Sequence, residues 1–115
     1  MKEQTIIDKI KAYLKTIPNL FFWKEHGGQY GSISHYSQLQ WNGVSGGSAF
    51  QPGTAGIPDI IVCYKGKFIT FECKLPGRKP TLLQAITLRK IMLAGGIAVV
   101  VTSLDQAKEI IESIK

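Results

Sequence analysis

At 115 residues, 44% of them hydrophobic, the chain suits one compact domain (residues 1–115) with a real core, and its composition excludes wholesale disorder. No apolar run approaches the roughly 18 residues of a membrane span, and the start MKEQTIIDKIKAYLK mixes charges into an amphipathic pattern unlike a signal peptide, so a soluble, cytoplasmic protein is expected. The net charge of +6 is concentrated between residues 65 and 90, where Lys65, Lys67, Lys74, Arg78, Lys79, Arg89 and Lys90 stand against one acid, Glu72; this is a nucleic-acid binder's footprint, although solvated lysines also give such an excess.

Apolar residues at Ile6, Ile7, Ile10, Tyr13, Leu14 and Ile17 predict a first helix that Pro18 stops, followed by a short strand at Leu20 to Trp23. The stretch from His26 to Gly56 is rich in Gly, Ser, Gln and Tyr, and is expected to be a long functional loop with a short strand near Gln38 to Trp41. Its Tyr30, Tyr36, Trp41 and Phe50 suit stacking on an unpaired base or anchoring of the loop to the core.

Ile57 to Tyr64 suits a buried strand, Lys65-Gly66-Lys67 a tight turn, and Phe68 to Lys74 the returning strand. In the second strand Ile69, Phe71 and Cys73 alternate with Thr70, Glu72 and Lys74. After the loop LPGRKP, Thr81 opens a helix running to about Ala94 and ended by Gly95-Gly96. Ile97 to Thr102 then reads as a buried strand, and Ser103 with Gln106 as a capping box for a closing helix. A hairpin feeding a crossover helix predicts an α/β fold, a mixed sheet flanked by helices.

The two cysteines, Cys63 and Cys73, lack metal-ligand spacing and read as buried hydrophobes. His26 and His35 stand nine positions apart in loop sequence with no supporting ligands, and the glycines between 43 and 56 lack the Gly-Lys-Ser/Thr ending of a phosphate loop. Neither a Gly-x-Ser-x-Gly elbow nor a Cys-His pair is present.

The acids fall otherwise. Asp59 interrupts an apolar strand, and Glu72 lies on the partner strand with Lys74 two residues later on the same face. Pairing the two strands would bring Asp59 and Glu72 to one ion, with the Cys73 backbone carbonyl completing a set of hard oxygens suited to Mg²⁺ or Mn²⁺. Such an ion activates water at a phosphodiester, and Lys74 would orient that water or offset charge in the transition state. Taken singly, Asp59 reads first as a strand-end residue and Glu72 and Lys74 as charges on a solvent face; together they point to a site.

At these residues the sequence resembles a known family. Pro58-Asp59, twelve intervening residues and Glu72-Cys73-Lys74 match the PD-(D/E)XK nuclease pattern. The stretch GIPDIIVCYKGKFITFECK, followed by a helix bearing Gln84, resembles the VRR-NUC branch of that superfamily. The resemblance implies a restriction-endonuclease-like core and a stand-alone, Holliday-junction-resolvase-like domain with a role in DNA repair. It implies a Mg²⁺- or Mn²⁺-dependent DNA endonuclease that leaves 5′-phosphate and 3′-hydroxyl ends.

It also implies a metal-site acid in the first helix, matched by Glu3, and a helix polar residue that supports the lysine or the water, matched by Gln84. Helix chemistry accounts for both as well: Glu3 is a favourable charge at a helix N-terminus, and Thr81 with Gln84 forms a capping box. Lys65, Lys67, Arg78, Lys79, Arg89 and Lys90 are the expected phosphate contacts. A homodimer is expected from the resemblance and from apolar residues on the long loop and closing helix, and its two-fold symmetry would suit branched or junction DNA. The alternatives are a catalytically silent nucleic-acid-binding module on the same fold and a subunit serving mainly protein contacts.

Overall fold

The computed structural model describes residues 1–25 and 56–115. The strand expected near Gln38 to Trp41, both histidines, the glycine stretch before Gly56 and the loop aromatics Tyr30, Tyr36, Trp41 and Phe50 lie outside the described residues. The elements in order are α1 (Glu3–Leu14), β1 (Leu20–Lys24), β2 (Ile60–Tyr64), β3 (Lys67–Cys73), α2 (Leu82–Leu93), β4 (Ile97–Val101) and α3 (Leu104–Ser113).

Helix α1 buries Ile6, Ile7, Ile10 and Leu14, one stripe at helical spacing. It ends at Leu14, three residues before the expected Ile17, because a proline disfavours helical geometry in the residue before it. The chain leaves through tighter bonds, Thr16 N–H to the Tyr13 carbonyl at 2.9 Å and Ile17 N–H to that of Leu14 at 3.2 Å.

The sheet runs β1-β2-β3-β4. The first three strands are antiparallel, while β3 and β4 are parallel and joined by α2 as the crossover. Tyr64 pairs with Lys67, leaving Lys65 and Gly66 as a two-residue turn at φ 52° and 78°. That left-handed pair matches the twist of a hairpin, which pins the register of β2 on β3.

Strand β3 is buried on both faces. Ile69, Phe71 and Cys73 meet Ile60, Val62 and Val101 and the apolar stripes of α1 and α3 in the main core. Thr70 and Glu72 point to the opposite face, where α2 lies. The alternation on β3 therefore separates two covered faces, not a core from a solvent face.

The expected mixed α/β architecture is present, with differences in detail. Ser103 accepts the Gln106 N–H at 3.3 Å, but the Gln106 side chain takes the N–H of Thr102 at 2.6 Å, so the capping box on α3 closes one residue early. The closing helix spends its apolar residues on the core, with Ala107 and Ile111 buried and Leu104 and Ile110 packed beside them. Among the described residues, exposed apolar side chains cluster on α2, at Leu82, Leu83, Ile86, Met92 and Leu93, with others on the strands at Phe21, Trp23 and Phe68. Cys73 is buried as expected, whereas Cys63 is exposed because it points away from the α1/α3 core.

Candidate active site

Asp59 was expected inside a strand beginning at Ile57, but β2 begins at Ile60 and Asp59 occupies the bend before it. Pro58 offers no N–H to a ladder. Asp59 keeps its backbone bond toward β1, accepting the Glu25 N–H at 2.7 Å. Toward β3 its side chain takes over, and Oδ2 accepts the Cys73 N–H at 2.8 Å. The last bond between the two strands is thus made by a carboxylate, which holds Asp59 beside the end of β3. In an extended strand a residue's carbonyl shares an edge with its N–H, so the Cys73 carbonyl faces the same side.

The approach to Asp59 is equally constrained. Gly56 has φ +80°, and a Cβ there would stand 2.5 Å from the Leu83 carbonyl oxygen. Only glycine lets residues 56 to 59 run this close to the first turn of α2.

Glu72 lies under that turn with 2% of its surface exposed. Its Oε2 accepts the Gln84 side-chain amide at 3.1 Å and stands 3.8 Å from the Lys74 ammonium, while Oε1 is buried without a hydrogen-bond partner among the described residues. Burial and the neighbouring Asp59 carboxylate push the Glu72 carboxyl up to about 8; Lys74 opposes the rise, and repulsion from Glu3 adds to it.

Glu3, the half-buried first residue of α1, acts electrostatically on both Glu72 and Cys73. Among the described residues, however, no three His, Cys, Asp or Glu side chains converge as a metal cluster. The side-chain donors brought together are Asp59 and Glu72. Burial, then Asp59 and Glu72, push the Cys73 thiol up to about 12, which leaves it protonated and inert.

Gln84 serves two purposes. Its Oε1 accepts the Thr81 N–H at 2.8 Å and its own N–H bonds Thr81 Oγ1 at 3.2 Å, while its amide nitrogen reaches Glu72. The cap and the contact with the site coexist. Sequence reasoning missed the parts of Gly56 and Thr81; the Thr-x-x-Gln pattern marked a helix start but carried no sign of what lay beneath it.

The basic residues divide by position. Arg78 and Lys79 are exposed in the turn just after Lys74. Lys65 and Lys67 are at the hairpin tip, and five residues of extended strand put Lys67 about 17 Å from Glu72. Lys65 reaches the Ile114 carbonyl at 3.5 Å and its ammonium stands 5.2 Å from the centre of the Tyr64 ring. Arg89 and Lys90 are exposed on α2. Lys90 borders an apolar cleft of about 550 Å³ between α2 and the sheet, which has Pro58 on its wall but neither carboxylate.

No protein-family model matches the chain. A curated protein named "Putative nuclease p44", from Acyrthosiphon pisum secondary endosymbiont phage 1, is 39% identical over 64 residues, covering 52% of this chain and 69% of its own length. A solved structure described as "VRR_NUC domain" superposes with a TM-score of 0.65 at 18% identity, covering 98% of this chain and 97% of its own. Its likeness is one of fold.

Proposed function

Since the chain belongs to the family of the phage nuclease that it matches and shares the fold of a VRR-NUC domain, we propose that it is a VRR-NUC nuclease that hydrolyses phosphodiester bonds of DNA with Mg²⁺ or Mn²⁺, using Asp59, Glu72 and Lys74. The observation that carries this reading is the Glu72 carboxylate, buried beside Asp59 with Oε1 unpartnered among the described residues. A buried acceptor left without a donor, next to a second acid, is costly unless a cation is shared between them.

The residues fit such an ion. Asp59, Glu72 and the Cys73 carbonyl supply hard oxygens, Glu3 adds negative potential, and the one nearby thiol is a poor ligand while protonated. When bound, a divalent cation supplies Lewis acidity at the scissile phosphate.

The side chains supply the rest. Lys74, with its ammonium against Glu72 Oε2, orients the attacking water and offsets charge on the phosphorane-like transition state. The P–O3′ bond breaks, leaving a 5′-phosphate and a 3′-hydroxyl. Gln84 donates to Glu72 Oε2 and fixes the rotamer of that carboxylate. Arg78 and Lys79, four and five residues after Lys74, hold the flanking phosphates without reading sequence.

The exposed Leu82, Leu83, Ile86, Met92 and Leu93 of α2 support a homodimer, whose paired sites would suit branched or junction DNA in repair. The test is cleavage of labelled single strands, flaps, forks and four-way junctions with Mg²⁺, Mn²⁺, Ca²⁺ or chelator. Metal-dependent cutting lost in Asp59→Asn and Glu72→Gln is expected. Undiminished cutting in chelator, or by either variant, overturns the site. Light scattering at 12.7 kDa overturns the dimer.

A further inference from the structure

The cap of α2 and the candidate metal site share one side chain. The Thr81 backbone N–H can only donate, so the atom of Gln84 facing it at 2.8 Å must be the amide oxygen. That assignment turns the amide nitrogen to Glu72 Oε2 at 3.1 Å. Thr81 Oγ1 then holds the Gln84 N–H at 3.2 Å, which sets the start of the helix and with it the height of the side chain above the sheet. Glu72 thus has one oxygen tied and the other, Oε1, left as a buried acceptor with no hydrogen-bond partner among the described residues.

We infer that Thr81 is a positioning residue for the metal site: through Gln84 it fixes which oxygen of Glu72 stays available to a divalent cation. The inference rests on the metal-dependent reading of Asp59 and Glu72. Thr81 is itself exposed and has no hydrogen bond to either carboxylate, so the effect has to pass through Gln84. The helix start is thereby coupled to ligand geometry, and the N-cap hydroxyl has a use beyond satisfying a helix donor.

Mn²⁺ affinity, measured by calorimetry on the whole chain with circular dichroism as a check of folding, separates this from a merely structural cap. Residues that orient metal ligands typically change affinity by about 10- to 100-fold. Thr81→Val is expected to weaken Mn²⁺ binding by about 10-fold, and Thr81→Ser, which keeps the hydroxyl, to restore it. Ser103→Ala removes the equivalent cap from α3 and should leave Mn²⁺ affinity unchanged. In a Gln84→Ala background, Thr81→Val should cost less than about twofold more, because the side chain that transmits the effect is gone.

Wild-type Mn²⁺ affinity in folded Thr81→Val overturns the inference. So does an equal loss in Ser103→Ala, or a full loss that persists without Gln84. A wild-type chain that takes up neither Mn²⁺ nor Mg²⁺ overturns the metal reading and the inference with it, which distinguishes the two failures.

Discussion

Removing the charge of Glu72 should stabilise the metal-free protein near neutrality and flatten its dependence on pH. The carboxyl, ordinarily at 4.5, is pushed up to about 8 in the fold by burial and by Asp59. Between those values the folded state keeps a proton that the unfolded state has released. The stability attached to that proton is fully present below pH 4.5 and is lost as pH rises through 8. At about 1.4 kcal/mol per pH unit for one fully differing group, the loss between pH 5 and 8 is about 3 kcal/mol, or about 10 °C in Tm for a chain of this size.

Denaturation in chelator across that range should show this slope in the wild type and little of it in Glu72→Gln. The amide still accepts from Gln84 and carries no charge to repel Asp59. Mn²⁺ at saturating concentration should remove the slope in the wild type by favouring the ionised pair. A wild-type profile that is flat, or a slope of the same size in Glu72→Gln, would show that the two carboxylates are not in conflict and would refute the account of the site.

Lys74→Met should lower the chemical step by about 10²-fold or more and leave Mn²⁺ affinity nearly unchanged, as single-turnover cleavage and calorimetry would show together. Gly56→Ala places a methyl against the Leu83 carbonyl at φ +80° and should destabilise the fold by about 1–3 kcal/mol in urea unfolding; a neutral effect would deny the close approach of this segment to α2. Native thiol labelling should modify exposed Cys63 quickly and buried Cys73 only on unfolding, and equal rates would contradict the burial of β3.

Covalent order determined much of this protein by itself. The helical spacing of Ile6, Ile10 and Leu14, the turn signal at Lys65-Gly66-Lys67 and the Gly95-Gly96 stop are local signals, each set by the geometry of neighbouring residues, and they sufficed for the element order and the mixed sheet. That a hairpin carries Asp59 toward Glu72 was also legible, but its turn, expected over Lys65-Gly66-Lys67, forms over two residues, and that difference sets which residues of the two strands stand opposite one another.

Only the tertiary structure decided what surrounds those acids. That Asp59 replaces a backbone acceptor for Cys73, that Glu72 is buried beneath α2, and that Lys65 turns toward Ile114 all depend on contacts between distant segments. The exposed face of α2 was missed for a related reason. A crossover helix covers whatever sheet area the strands leave it, and here that area accommodates Thr87 and Leu88 but not Leu82, Leu83 or Leu93. Hydrophobic pattern states which side chains favour burial; whether a surface is there to receive them is settled by packing.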